Sequence, residues 1–399
     1  AGNTVLGENA LDAAVTGANN TALGHKTLTS NTSGNACVAV GYRALLNNTT
    51  AANNTAVGND SMKDNTTGTR NVGVGSFVLD ANTTGNYNVA VGHEALGANT
   101  TANNNTAIGD LALFANTTAV SNTAVGTAAL RSNTTGFTAN TAVGVNALYS
   151  NTTGSGNTAI GYTALKEGST RLNNTGVGFE ALRLGTTGNN NTAIGSTVLT
   201  KNTANDNTGL GYLALKENTT GTQNVAVGTG ALDDNTTSSN NTGVGYTALT
   251  ANTTGGNNTA VGSVSLAANT TGSANVAVGV ISLDGNTTGS YNTALGYEAL
   301  SANTTADENT GLGSFALRYN TTGGNNTATG YKALEDNSSG SASTAVGFQS
   351  LNSNTTGDQN TGCGNNTLRD NTTGQYNTAV GTQALINNTT ANNNTGLGA

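Results

Sequence analysis

A five-residue motif, Asn-Thr-Ala-Val-Gly, returns every 17 residues along this chain, and any fold must give each copy the same surroundings. The motif begins at Asn3, Asn20, Cys37, Asn54, Asn71, Asn88, Asn105, Asn122, Asn140, Asn157, Asn174 and Asn191. It continues at Asn207, Asn224, Asn241, Asn258, Asn275, Asn292, Asn309, Asn326, Ser343, Asn360, Asn377 and Asn394. One step of 18 follows Asn122 and one of 16 follows Asn191, so the phase is kept. The unit reads N-T-A-V-G-x-x-A-L-x-x-N-T-T-G-x-N, numbered 1 to 17 below. A short fixed period is the mark of a solenoid, whose units cannot bury a core alone and do so by stacking. Seventeen residues fit neither a heptad nor a helix-pair repeat, and a motif rich in Val, Thr and Gly is a poor helix former. The expected fold is therefore all-β: one repeat domain, 1–399, of about 24 β-solenoid coils, with a helical solenoid as the structural alternative.

Position 5 is glycine in every copy, at Gly7, Gly24, Gly41, Gly58, Gly75, Gly92 and onward to Gly398. Such a glycine marks positive φ or a backbone approach too close for a Cβ. Position 9 is leucine, as at Leu11, Leu28, Leu45 and Leu79, with Met62 the one exception in a complete unit. Positions 2 (Thr or Val) and 4 (Val, Ile or Leu) share one face of a strand. Their branched side chains predict that they point inward, with Leu from a second short strand completing the core. Positions 1, 3 and 5 then form a bare outer face against which another chain would pack. Cys363, at position 4, is read as a small buried hydrophobe. Cys37 lies nineteen coils away, roughly 90 Å at one strand spacing per coil, too far for a disulfide.

Composition narrows the function. There are 55 Gly, no Pro and no Trp, only 9% of residues are charged, and the net charge is −8. That offers no basic patch for nucleic acid and no polybasic membrane anchor. No apolar run approaches the ~20 residues of a membrane span. The chain opens inside the repeat at Ala1-Gly2-Asn3-Thr4, which predicts that any targeting segment has been removed or that the chain is a fragment. No nucleophile–base pair, recurring carboxylate pair or Cys/His metal spacing is present, so neither enzymatic activity nor a cofactor is expected. Gly209-Leu-Gly211 and its like are repeat positions 3 and 5, not phosphate loops.

The strongest candidate for chemistry is the repeated Asn-x-Ser/Thr turn, mostly Asn-Thr-Thr, a glycan acceptor pattern. It supplies Asn31, Asn48, Asn65, Asn82, Asn99, Asn116, Asn133 and Asn151, then Asn218, Asn235, Asn252, Asn269, Asn286, Asn303, Asn320, Asn337, Asn354, Asn371 and Asn388. Gly168, Gly185 and Asn202-Thr-Ala interrupt it. If the turns project outward, covalent glycans would line one edge of a fibre. The competing reading is turn chemistry alone, since Asn and Gly suit the ends of a four-residue turn. Threonine O-glycans are the other option. Position 6 carries Tyr42, Tyr162, Phe179, Tyr212, Tyr246, Tyr297, Tyr331 and Phe348, read as outward residues able to stack on sugars or a partner chain. His25 and His93 share that position four coils apart, too far to share a metal.

Units such as Asn258-Thr-Ala-Val-Gly262 and Asn157-Thr-Ala-Ile-Gly161 resemble the head repeats of trimeric autotransporter adhesins of the YadA type. They are more similar still to the Asn-Thr-Ala-Val-Gly-Tyr-x-Ala-Leu arrays of tail-fibre-like and adhesin-like surface proteins of phages and environmental bacteria. The resemblance covers essentially the whole chain. In the YadA type it implies a left-handed parallel β-roll, three chains per fibre, and adhesion to matrix or host surfaces. This unit is longer by an Asn-Thr-Thr-Gly segment, and the chain carries no recognisable neck, stalk or anchor. The expected function is thus an extracellular structural fibre subunit that polymerises with copies of itself by coil stacking, with no membrane insertion. The alternatives are the shaft of a trimeric adhesin or receptor-binding fibre, and ice binding through regular threonine columns.

Overall fold

The computed structural model describes residues 2–136 and 138–398. The chain divides into two compact units, Ala1–Thr203 and Ala204–Ala399. Each is a parallel β-solenoid, and no helix occurs among the described residues. The first unit carries twelve three-residue strands, β1 (Thr4–Leu6) to β12 (Thr192–Ile194), and the second twelve more, β13 (Thr208–Leu210) to β24 (Thr395–Leu397). Within each unit, strands pair in parallel with equivalent positions aligned: Thr4 with Thr21 and Leu6 with Leu23 in the first, Thr208 with Val225 and Leu210 with Val227 in the second. Identical positions therefore stack one strand spacing apart, about 4.8 Å.

The face assignment expected from the sequence is reversed. Position 3 points inward: Ala56, Ala90 and Ala107 are fully buried, whereas Val74 and Ile108 at position 4 stay exposed. The reason is width. The coil is too narrow for a row of branched side chains on top of the leucine, and only a methyl group or hydrogen fits beneath the strand. In coil 5 (71–87), a Cβ on Gly73 would sit 3.0 Å from Met62 Cε and 3.1 Å from Val78 Cγ1. In this coil the glycine at position 3 thus makes room for Val78 and for Met62 of the preceding coil.

Leucine 9 does fill the core, and Leu28, Leu45 and Leu79 are fully buried. It does not come from a second strand. Positions 6 to 11 form a turn in which Leu28, Leu45 and Leu79 take φ of 48°, 52° and 49°. Left-handed backbone costs an L-residue about 1–2 kcal/mol. Inter-coil hydrogen bonds offset that cost, such as Leu45 N–H donating to Ser61 O at 3.1 Å. Position 17 is also left-handed, at 61° in Asn19 and 60° in Asn53, which accounts for the asparagine preferred there. Position 5 uses a region open only to glycine: φ is 135° at Gly58, and a Cβ would lie 2.1 Å from Gly75 O.

Candidate interaction face

The asparagines proposed as glycan acceptors are interior. In the first unit Asn31, Asn48, Asn65, Asn82, Asn99, Asn116, Asn133 and Asn151 are buried. In the second, Asn218, Asn235, Asn252, Asn269, Asn286, Asn303, Asn320, Asn337, Asn354 and Asn371 are buried, and Asn388 is half-buried. The turn does not project outward; it folds its amide under the coil. Asn65 Nδ2 donates to Asn48 Oδ1 at 3.1 Å and to Gly68 O at 3.0 Å, while its Oδ1 accepts from Asn82 Nδ2 at 2.8 Å. Both donor hydrogens and the acceptor are thus engaged, and the folded coil has neither a free hydrogen nor space for a sugar on Nδ2. A second ladder runs through position 1, where Asn71 Nδ2 donates to Gly85 O at 2.8 Å and Asn71 N–H to Asn54 Oδ1 at 2.9 Å. The two ladders converge on the carbonyl at position 15, since Asn82 Nδ2 also reaches Gly85 O at 3.1 Å.

Where the ladder lapses, at Gly168 and Gly185, an arginine takes its place. Arg171 is fully buried and donates from its two terminal nitrogens to Leu165 O at 2.6 Å and Leu182 O at 3.1 Å. Burial lowers its pKa to about 10. Asn151 Oδ1, which would have received the next amide, is left without a hydrogen bond.

With positions 1, 3, 9 and 12 inside, positions 2 and 4 form the outer strand face. Val74 is 37%, Ile160 40% and Leu295 44% exposed, as large aliphatics on an uncovered sheet would be. Neither column holds a charged residue. In each unit the face runs roughly 55 Å by 7 Å. That is ~400 Å², shared between the aliphatic position-4 column and a position-2 column that is mostly threonine. Cys363 belongs to this outer column and is exposed, contrary to the core role expected of it, whereas Cys37 replaces a position-1 asparagine and is buried.

Position 6 flanks the face, and its aromatics are exposed as expected, at Tyr42, Tyr162, Phe179, Tyr212, Tyr246, Tyr297, Tyr331 and Phe348. Stacking puts some face to face, as in Tyr162–Phe179 and Tyr331–Phe348, both at 5.6 Å between centroids. His25 stacks on Tyr42, and His93 lies against Asp110 and the edge of Phe77. Among the described residues no group of three His, Cys, Asp or Glu is placed to hold a metal. Nor is any helix long and apolar enough to cross a membrane.

One carboxylate is poorly accommodated. Burial pushes Asp284 up to about 6, with the Glu298 charge adding to it against two backbone N–H groups, and its Oδ1 has no hydrogen-bond partner. The folded value lies above the unfolded one of 3.8, so the stability tied to this group is complete below that pH and lost as pH rises through 6. Asp284→Asn is expected to stabilise its coil at pH 8 by about 1 kcal/mol, allowing for the solvent screening of a half-buried carboxylate. The gain should vanish below pH 4; denaturation midpoints at the two pH values check this.

No protein-family profile matches the chain, and no curated protein sequence matches it.

Proposed function

We propose that the protein is a non-enzymatic structural fibre subunit, working outside the cell, whose copies associate through the outer strand face. The observation that carries this reading is the charge-free aliphatic column at position 4, open to water along each unit. Interface cores are depleted of charge, and a contiguous apolar patch on a soluble protein marks a partner site. The resemblance to surface-adhesin repeats supports an extracellular setting and a homo-oligomer. Leu295→Lys puts a cation in the middle of that column on the second unit. It is expected to leave the coil folded and to weaken self-association about tenfold or more, because an unpaired charge would be buried at the contact. Light scattering with size-exclusion chromatography measures the association, and hydrogen exchange checks the fold. Wild-type association by the variant would sink the reading.

The trimeric adhesin shaft uses the same face with a closed stoichiometry of three. Discrete three-chain rods in electron micrographs would favour it, and continuous fibres the structural subunit. The position-2 column faces outward and so presents its threonines to water, which favours ice binding as a further alternative. Nine of the twelve strands in the first unit begin with threonine, at one strand spacing. Thermal hysteresis from the unassociated protein would favour that reading over a fibre.

A further inference from the structure

The first unit has a notch of about 250 Å³ where the position-10 column loses a side chain. That column runs Lys63, Asp80, Gly97, Phe114, Arg131 through coils 4 to 8. Gly97 leaves a gap between Asp80 and Phe114, and Phe77 and Glu94 close it from the position-7 column. The two rings come from coils two apart, about 9.6 Å along the stack, Phe77 in the position-7 column and Phe114 in the position-10 column. A Cβ on Gly97 would meet the Phe114 ring at 3.4 Å, so the ring forms one wall directly over the glycine.

We propose that this notch binds an alkylammonium group, with Phe77 and Phe114 as aromatic walls and Asp80 and Glu94 as counter-charges. An organic cation held against an aromatic ring is drawn by its quadrupole, most strongly where water is displaced. The surrounding charge favours it. Asp64, Asp80, Glu94 and Asp110 face Lys63 and Arg131, and His93 sits 3.3 Å from Asp110 and 3.8 Å from Glu94. Lys63 Nζ is taken by Asp64 at 3.4 Å, and Arg131 lies over Phe114 at 5.6 Å while donating to Tyr149 Oη at 3.0 Å. Neither forms an ion pair with the Asp80 carboxylate, which burial pushes above its ordinary range while the Lys63 charge nearby draws it part of the way back. An anion is disfavoured by the two carboxylates, and a bare metal ion by the phenyl walls. The volume falls below the ~300 Å³ of the smallest drug-sized sites and suits a compact head group.

The test titrates the full chain with tetramethylammonium and with choline by calorimetry and saturation-transfer NMR. Dissociation constants on the order of 1 mM are expected for both, with no binding of the neutral isostere 3,3-dimethylbutan-1-ol. Gly97→Leu, which fills the gap, and the isosteric pair Asp80→Asn with Glu94→Gln should each weaken choline at least tenfold. Sedimentation with phosphatidylcholine vesicles separates the two sources of the group. Vesicle binding lost in Gly97→Leu identifies a lipid head group, and choline binding without vesicle binding identifies a soluble ligand. Absence of binding by either ammonium probe overturns the proposal, as does equal affinity in Gly97→Leu and in the carboxamide pair.

Discussion

Replacing Gly58 with alanine is expected to cost more than ~4 kcal/mol and to open the first unit between coils 4 and 5. The glycine has φ of 135°, a conformation that L side chains rarely adopt, and the new Cβ would lie 2.1 Å from Gly75 O and 2.6 Å from Gly75 C. The obstacle is backbone rather than a side-chain tip, so no rotamer change relieves it. Relief requires the two coils to separate, which breaks the bonds between them: Gly75 N–H to Val57 O at 2.8 Å and Phe77 N–H to Asn59 O at 2.9 Å. In a stack held by nearest-neighbour interfaces, losing one interface divides the cooperative unit. Hydrogen exchange should show amides near residues 58–77 exchanging orders of magnitude faster, and limited proteolysis should cut there. Gly256→Ala is the control. Its φ is not positive and its nearest obstacle, Ser239 O, is 3.3 Å away, so it should change stability by less than about 1 kcal/mol. Native exchange in the Gly58 variant would mean that position 5 tolerates a side chain and that its recurrence has another cause.

That glycine was legible in the sequence, as were the period, the all-β class and the buried leucine, because each follows from recurrence within one unit. The parity of the strand was not. Hydrophobicity assigns Val and Thr to the core, as in a thick sandwich, but the interior of a 17-residue coil admits alanine, one leucine and two amides. The asparagines were misread because their partners lie one coil away, where the reading of a single turn cannot see them. A signal was present. Aspartate serves a turn as well as asparagine does, yet positions 1 and 12 hold no aspartate in any unit. A turn would exchange the two freely, whereas a buried ladder needs the amide hydrogens. The ammonium notch had no signal in the consensus at all, because it arises from a departure, Gly97, flanked by other departures in neighbouring coils.

The ladder makes the sharpest prediction about pH. Asn65→Asp keeps the shape of the side chain and removes its two donor hydrogens. At pH 7 the introduced carboxylate would face Gly68 O and Asn48 Oδ1, two acceptors that the amide had satisfied at 3.0 and 3.1 Å. Only Asn82 Nδ2 would still donate to it. A buried, half-paired charge costs about 3–5 kcal/mol, so the folded state should raise the pKa of the new group well above the ~3.9 of an unfolded chain. With the folded value above the unfolded one, the variant is least destabilised below that pH, and the penalty grows until pH passes the folded pKa. The protonated acid has one O–H to donate where the amide had two N–H, so recovery in acid should be partial. Asn65→Ala separates the charge from the missing donor, since its loss should be independent of pH. Denaturation midpoints of the three proteins from pH 3.5 to 8 decide the matter. If the aspartate variant matches wild type at pH 7, position 12 faces solvent and the asparagines are available to glycans after all. If it fails at pH 7 and regains part of its stability in acid, the amide column is what holds one coil to the next.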